Sequence, residues 1–397
     1  MALRRGPLEH DHDIQVFSRE EIEARRSAVF SELAAAGVDF VLLHTADNVF
    51  YVSGVPLLSE WGRPLWWVAN VAKQDSEIIG SGIEKENMES SYFDRVHAYD
   101  DAVNVWDAAV AEAAAQAPRG AIRVGIELAH ISVGLLEKLR AALPEAEFVS
   151  VDDVLASRRL IKSAEEFELL TIGGEVAKIG AQEFLSSFRE GVTEAEVAAR
   201  AVAAMDIAMS SLIPRGVTST YSYCQVGRRS LTPHLHPGGR RIKKGDVVGM
   251  NVFPVISGYC VELERTFVYG EETAEQAQAL RVATEAFHVG KDMVAPGVLM
   301  SEIDEVTRRM IAEAGLGEFI RHGTGHAHGI MIGASSREEG GELRTYNRHE
   351  LRPGMALSVE PAVFLPDIGA FRHSDVMLVT EGGAHCITDF DVEIHMG

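Results

Sequence analysis

Residues 245–269, GDVVGMNVFPVISGYCVELERTFVY, set two runs rich in Val, Phe and Thr, 246–253 and 259–269, on either side of Ser257-Gly258. β-Branched and aromatic side chains favour a pleated strand and a Ser-Gly pair favours a turn, so the stretch predicts a strand pair. Downstream come helical patterns over 274–294 and 301–314, then apolar runs over 356–364 and 376–380. This half therefore reads as α+β, with helices bracketing an antiparallel sheet. Upstream, Ser163 with Glu166 and Thr193 with Glu196 have capping-box spacing and open amphipathic helices running to about 188 and 209. Further upstream, a helical pattern over 19–36 and short apolar runs over 39–43 and 124–127 alternate as in an α/β domain. With 397 residues, 46% of them hydrophobic, the chain exceeds one ordinary core. An α/β N-terminal domain over 1–157 and an α+β catalytic domain over 158–397 are expected.

Lys and Arg total 37 against 59 Asp and Glu, a balance of −22. Such a surface repels phosphate backbones and anionic lipid, so no nucleic-acid or membrane partner is expected. Cys224, Cys260 and Cys386 are too few and too scattered for a disulfide framework or a C-x-x-C clamp, which fits a reducing compartment. The opening MALRRGPLEHDHDIQ turns acidic without an apolar core, and no later stretch has the apolar length of a membrane span. A cytoplasmic location is expected.

The decisive segment is followed in order by HGTGHAHG (322–329), PGMALSVEP (353–361) and FRHSDVMLVTEGG (371–383). In order and spacing these resemble the creatinase/prolidase/methionine aminopeptidase family. The resemblance covers nearly the whole chain, since IKSAEE (161–166) is also where that family's catalytic domain begins. It implies the pita-bread scaffold. In metal-dependent members the segments supply two Asp, one His and two Glu to a pair of divalent ions, and the corresponding positions here are Asn251, Glu262, His326, Glu360 and Ser374. Two anionic ligands have become neutral, and hard cations need that oxygen charge, so neither a paired-metal centre nor any other cofactor is expected. A single ion on Glu262, His326 and Glu360 remains chemically possible.

The resemblance is sharper to the metal-free creatinase branch. There it implies that Glu264 and Glu360 hold a substrate guanidinium, a planar cation well met by carboxylates accepting paired hydrogen bonds. Taken alone, Glu264 beside Arg265 would read as a solvated strand pair. The resemblance also places a general acid/base at His234 in TPHLHPGG, with His236 as its rival, because imidazole titrates near neutrality. His326 contacts metal or substrate in the two branches respectively, while His328 reads as a histidine satisfied within the core. Arg337 in SSREEGGELR and Arg63 in EWGRPLWW match arginines, the latter binding the substrate carboxylate, a task suited to the planar guanidinium fork. Departures fall beside the implied ligand: Cys260 stands for a tyrosine, Ser374 for a histidine and Trp61 for a phenylalanine, and the loop between Pro366 and Phe371 is shorter.

These features imply metal-independent hydrolysis of a C–N bond in a small zwitterionic amidino or guanidino carboxylate. Alternatives are the opening of a cyclic amidine such as ectoine, a metal-dependent Xaa-Pro peptidase, and a non-catalytic binding module on the same fold. The resemblance further implies a homodimer with shared sites, Arg63 crossing from the partner. Trp61, Trp66 and Trp67 in the same segment are read as aromatic surface for that interface, the alternative being that they pack inside their own domain.

Overall fold

The computed structural model describes residues 3–4, 8, 13–55, 63–93, 95–332 and 341–396. Two compact units result, one within residues 1–159 with short returns at 213–217 and 330–336, the other within 160–212, 218–329 and 337–397. Among the described residues, no helix is long and apolar enough to cross a membrane.

The first unit is built on a six-stranded mixed sheet. Its strands are β1 (Phe40–Leu43), β2 (Trp66–Asn70), β3 (Asp75–Ser81), β4 (Val96–Tyr99), β5 (Arg123–Ile126) and β6 (Glu147–Ser150), in the order β4-β3-β2-β1-β5-β6. The β1 strand runs antiparallel to β2 and parallel to β5. Alternation sends Phe40, Leu42, Trp66 and Val68 to one face, where they pack with Ala109, Val110, Leu135 and Leu139 from the helices Val105–Gln116 and Val133–Ala142. Trp67 packs 5.6 Å from Phe30 of the helix Arg19–Ala35. Trp66 and Trp67 are thus 1% and 0% exposed inside their own domain, which corrects the expectation that they supply aromatic surface for a subunit interface. Each buries about 150–250 Å², worth roughly 4–6 kcal/mol, so domain stability accounts for them. Trp61 lies outside the described residues.

In the second unit the helix Ala164–Ser187 opens on the expected capping box: Glu166 N donates to Ser163 Oγ at 3.2 Å and Ser163 N to Glu166 Oε2 at 2.8 Å. The helix Glu194–Leu212 starts at Thr193 in the same manner. Next come β7 (Tyr221–Val226), β8 (Val247–Phe253), β9 (Val255–Ile256), β10 (Tyr259–Cys260) and β11 (Leu263–Val268), then the helices Ala274–Asp292 and Met300–Glu313. The chain closes with β12 (Ala356–Val359), β13 (Ala362–Leu365), β14 (Gly369–Arg372), β15 (Asp375–Thr380) and β16 (Gly383–Cys386).

Two runs that the sequence presents as continuous strands are broken, and both breaks carry a carboxylate. The 259–269 run splits because β10 folds back on β9 through Ser257 and Gly258, with φ of 45° and 83°. Paired positive φ values match the twist of a tight hairpin. The β11 strand instead joins β8, with Glu264 opposite Asn251, and Glu262 sits at the break. The 356–364 run splits at Glu360-Pro361, since proline donates nothing to a ladder; β12 then pairs with β15 and β13 with β14.

Candidate active site

Glu262, Glu264 and Glu360 are 4%, 2% and 6% exposed, and one oxygen of each lies within 4.8 Å of the others. Three buried carboxylates so close need a counter-charge. Arg372, at the end of β14, supplies it: Nη2 donates to Glu264 Oε1, and Nη1 lies 3.4 Å from Glu360 Oε2. The two carboxylates expected to hold a substrate guanidinium therefore already grip one belonging to the chain. Glu264 and Arg265 do not form the solvated pair that the two residues taken alone would suggest, because both side chains are buried and Arg265 turns instead to Asp375 at 2.9 Å. Glu264 Oε2 is buried without a hydrogen-bond partner. Burial, then the charges of Glu262 and Glu360, push the Glu264 carboxyl well above the usual range against the opposing pull of Arg372.

On the other side of this cluster His326 Nε2 lies 3.6 Å from both Glu262 Oε2 and Glu360 Oε1, and His328 Nε2 lies 3.4 Å from Glu262 Oε2. The two imidazoles stack at 4.8 Å. Ser374 Oγ donates to Glu262 Oε1. Burial opposes ionisation of Glu262, yet the facing His328 and His326, aided by the Ser374 hydroxyl, hold its carboxyl well below the usual range. Gly325 sets the position of this segment: a Cβ there would run into the Ser358 carbonyl, so only glycine lets the backbone lie this close to β12.

Asn251, on β8, donates through Nδ2 to the Tyr223 carbonyl at 3.3 Å. Cys260 is buried, and burial pushes its thiol up to about 12. Tyr221 brings a phenol to 4.0 Å from the sulfur, so a hydroxyl stands beside position 260 although the residue itself is not a tyrosine. A cavity of about 20 Å³, roughly one water, is lined by Asn251, Arg372, Gln225 and Pro233 among others.

His234 follows Pro233 in an exposed turn, pinned from below by Gln225 Nε2, which donates to the carbonyls of Thr232, Pro233 and Leu235 at 3.1, 2.9 and 2.8 Å. His236 meets Tyr223 edge-on at 5.3 Å. The imidazoles found among the carboxylates are those of His326 and His328, not these. In the first unit Arg63 Nε donates to Asp101 at 2.6 Å, and Asp101 also accepts from Ser81 at 2.6 Å. Arg337, like Trp61, lies outside the described residues.

A pair of divalent ions does not fit this donor set. The neutral Asn251 and Ser374 are engaged with Tyr223 and Glu262, and three carboxylates already offset by one guanidinium cannot balance four positive charges.

Residues 168–381 match metallopeptidase family M24, and residues 25–161 match the creatinase/prolidase N-terminal domain. Creatinase from Bacillus sp. (strain B-0618) is 28% identical over 385 residues, covering 94% of this chain and 92% of that protein. Xaa-Pro dipeptidase from Pyrococcus horikoshii is 27% identical over 360 residues, covering 90% and 94%. Among solved structures, an Xaa-Pro dipeptidase from Bacillus anthracis superposes with a TM-score of 0.79 at 25% identity, covering 94% of this chain and 99% of that one. Matched in both halves and throughout the segments that assemble the site, the chain belongs to metallopeptidase family M24, with a creatinase/prolidase N-terminal domain ahead of its pita-bread domain.

Proposed function

We propose that the chain hydrolyses a non-peptide C–N bond in a small amidino or guanidino carboxylate without a pair of metal ions. The observation supporting this is the carboxylate surplus, with three buried carboxylates facing one guanidinium while the positions that would complete a paired-ion site are neutral. Such a pocket favours a planar cation bearing several N–H donors. Glu264 and Glu360 then share that cation with Arg372 on their other edges, Glu264 Oε2 being the open acceptor.

Water adds to the amidinium carbon, its proton passes to an imidazole, and the imidazole returns a proton to the departing nitrogen as the C–N bond breaks. A guanidino acid yields an amine and a urea; a cyclic amidine opens to an amide and an amine. His234 is the proposed proton carrier, with Arg337 and the Arg63 of a second subunit taking the substrate carboxylate. Cys260, Ser374, Asn251 and Trp61 shape the pocket and set which molecule enters.

Creatine, guanidinoacetate and ectoine, offered to the chelated protein with product analysis, test the reading: turnover should persist in EDTA, and His234→Ala should lower it by about 10²–10⁴. A larger loss in His236→Ala would move the role to that residue. Mixing Arg63→Ala and His234→Ala chains should restore activity where sites are shared between subunits. The second reading, an Xaa-Pro peptidase, is favoured by the 27% identity to the Pyrococcus horikoshii dipeptidase. It requires two bound ions per chain and cleavage of an Xaa-Pro dipeptide.

A further inference from the structure

We propose that the first unit carries a site for one small zwitterion, its ammonium on Glu77 and its carboxylate on Lys73. Glu77 lies on β3 opposite Val68 of β2, and so on the sheet face that buries Phe40, Leu42, Trp66 and Ile79 against the helix Val105–Gln116. The residue is 5% exposed, and its Oε1 is buried without a hydrogen-bond partner. A carboxylate in such a position is rare unless it is paired. A cavity of about 170 Å³ opens beside it where the helix stops, lined by Val68, Asn70, Lys73, Glu77, Arg95 and Gln116 among others.

The charges around this cavity leave one of each sign unmatched. Arg95 Nη2 lies 2.9 Å from Asp75 Oδ1, while its Nε stays 3.6 Å from Glu77 Oε2, beyond a good hydrogen bond. The nearby His97 Nε2 lies 3.0 Å from Glu112. Glu77 Oε1 is thus left without a donor from the chain. Gln116 ends its helix, whose last carbonyls carry partial negative charge, and no basic residue stands in the last turn to meet them. Both features favour a cation at the buried end. Burial pushes the Glu77 carboxyl above the usual range against the pull of Arg95 and His97, and an ammonium on Oε1 relieves that cost. At the exposed end, Lys73 makes no ion pair among the described residues, and its backbone N–H donates to Asn70 Oδ1 at 3.0 Å, which fixes the turn that carries it. A cation alone leaves Lys73 unmatched and an anion alone leaves Glu77, so the complement is a molecule of amino-acid size bearing both charges.

Full-length protein dialysed to equilibrium against radiolabelled glycine or β-alanine should take up one equivalent per chain whose affinity Glu77→Gln weakens at least about tenfold and Lys73→Met about threefold. Glu264→Gln should leave that equivalent in place. Lys73 is exposed in a turn, so its replacement tests the site without endangering the fold. Unlabelled propionate, which lacks the ammonium, should compete at least about tenfold less well than β-alanine, and ethylamine, which lacks the carboxylate, about threefold less well. No uptake, or uptake that both variants leave unchanged, would overturn the site. Uptake lost in Glu264→Gln and kept in Glu77→Gln would also overturn it, assigning the zwitterion to the carboxylates of the second unit. Ethylamine competing as well as β-alanine, with Lys73→Met unchanged, would refute the zwitterion and leave only a cation on Glu77.

Discussion

Glu264 and Arg265 are neighbours on β11, both buried, yet they enter charge clusters of opposite character. The Arg265 guanidinium donates to Asp375 Oδ1 at 2.9 Å and to the carbonyls of Phe390, Glu264, Ser374 and Asp391 at 2.7, 2.8, 2.9 and 3.1 Å. Asp375 also accepts from Lys291 and from Thr388. Across the strand, Glu264 keeps an oxygen with no partner and shares one guanidinium with Glu360. A buried polar network with every group paired holds structure together, whereas one left short of donors is built to receive them.

The comparison can be broken most directly at Arg265. Replacing it with Met leaves several buried carbonyls without their donor and Asp375 with only Lys291 and Thr388, and urea unfolding should show a loss of about 3–5 kcal/mol; a loss below about 1 kcal/mol would deny the cluster its structural role. Arg372→Met should cost less, about 3 kcal/mol at neutral pH, because Glu264 can take up a proton in compensation. The sign follows from the raised folded-state pKa of Glu264. Its stability contribution is complete below the unfolded carboxyl value and is lost as pH rises through the folded one. The Arg372→Met deficit should accordingly shrink as unfolding is measured nearer pH 4–5, roughly the ordinary carboxylate range, while that of Arg265→Met should not track Glu264. Glu264→Gln should change stability by less than about 1 kcal/mol, since the amide keeps an oxygen to accept from Arg372 and removes a charge that burial disfavours. The smallest effect concerns the thiols: burial pushes Cys260 up to about 12 and Cys386 up to about 11, so iodoacetamide at pH 8 should label neither in the native protein, as intact mass would report.

The positions that carry the site were legible in linear order, but two partners were not. Arg372 passed unremarked within FRHSDV, and His328 read as an ordinary core histidine. Both are two residues from a position already singled out, Ser374 and His326, and in extended chain residues i and i+2 share a face. Glu262 and Glu264 obey the same rule. Strand parity applied to each motif residue would have found all of them. The strand breaks at 261–262 and 360–361 were less accessible, because periodicity cannot tell one long strand from two short ones that change partners. Pro361 was the one local signal. The burial of Trp66 and Trp67 was hidden for another reason: consecutive indoles cannot share one face of a strand, and only the tertiary fold provides a core on both sides of β2.

The close packing of Gly325 on Ser358 bears on how this scaffold can diversify. Every substitution at a glycine adds a Cβ, so position 325 offers no neutral neighbours in codon space and every single-nucleotide missense change there shifts the His326 segment off β12. Randomised libraries aimed at new specificities should therefore leave 325 fixed and spend their diversity at 260, 328 and 374, where side chains rather than backbone set the walls of the pocket.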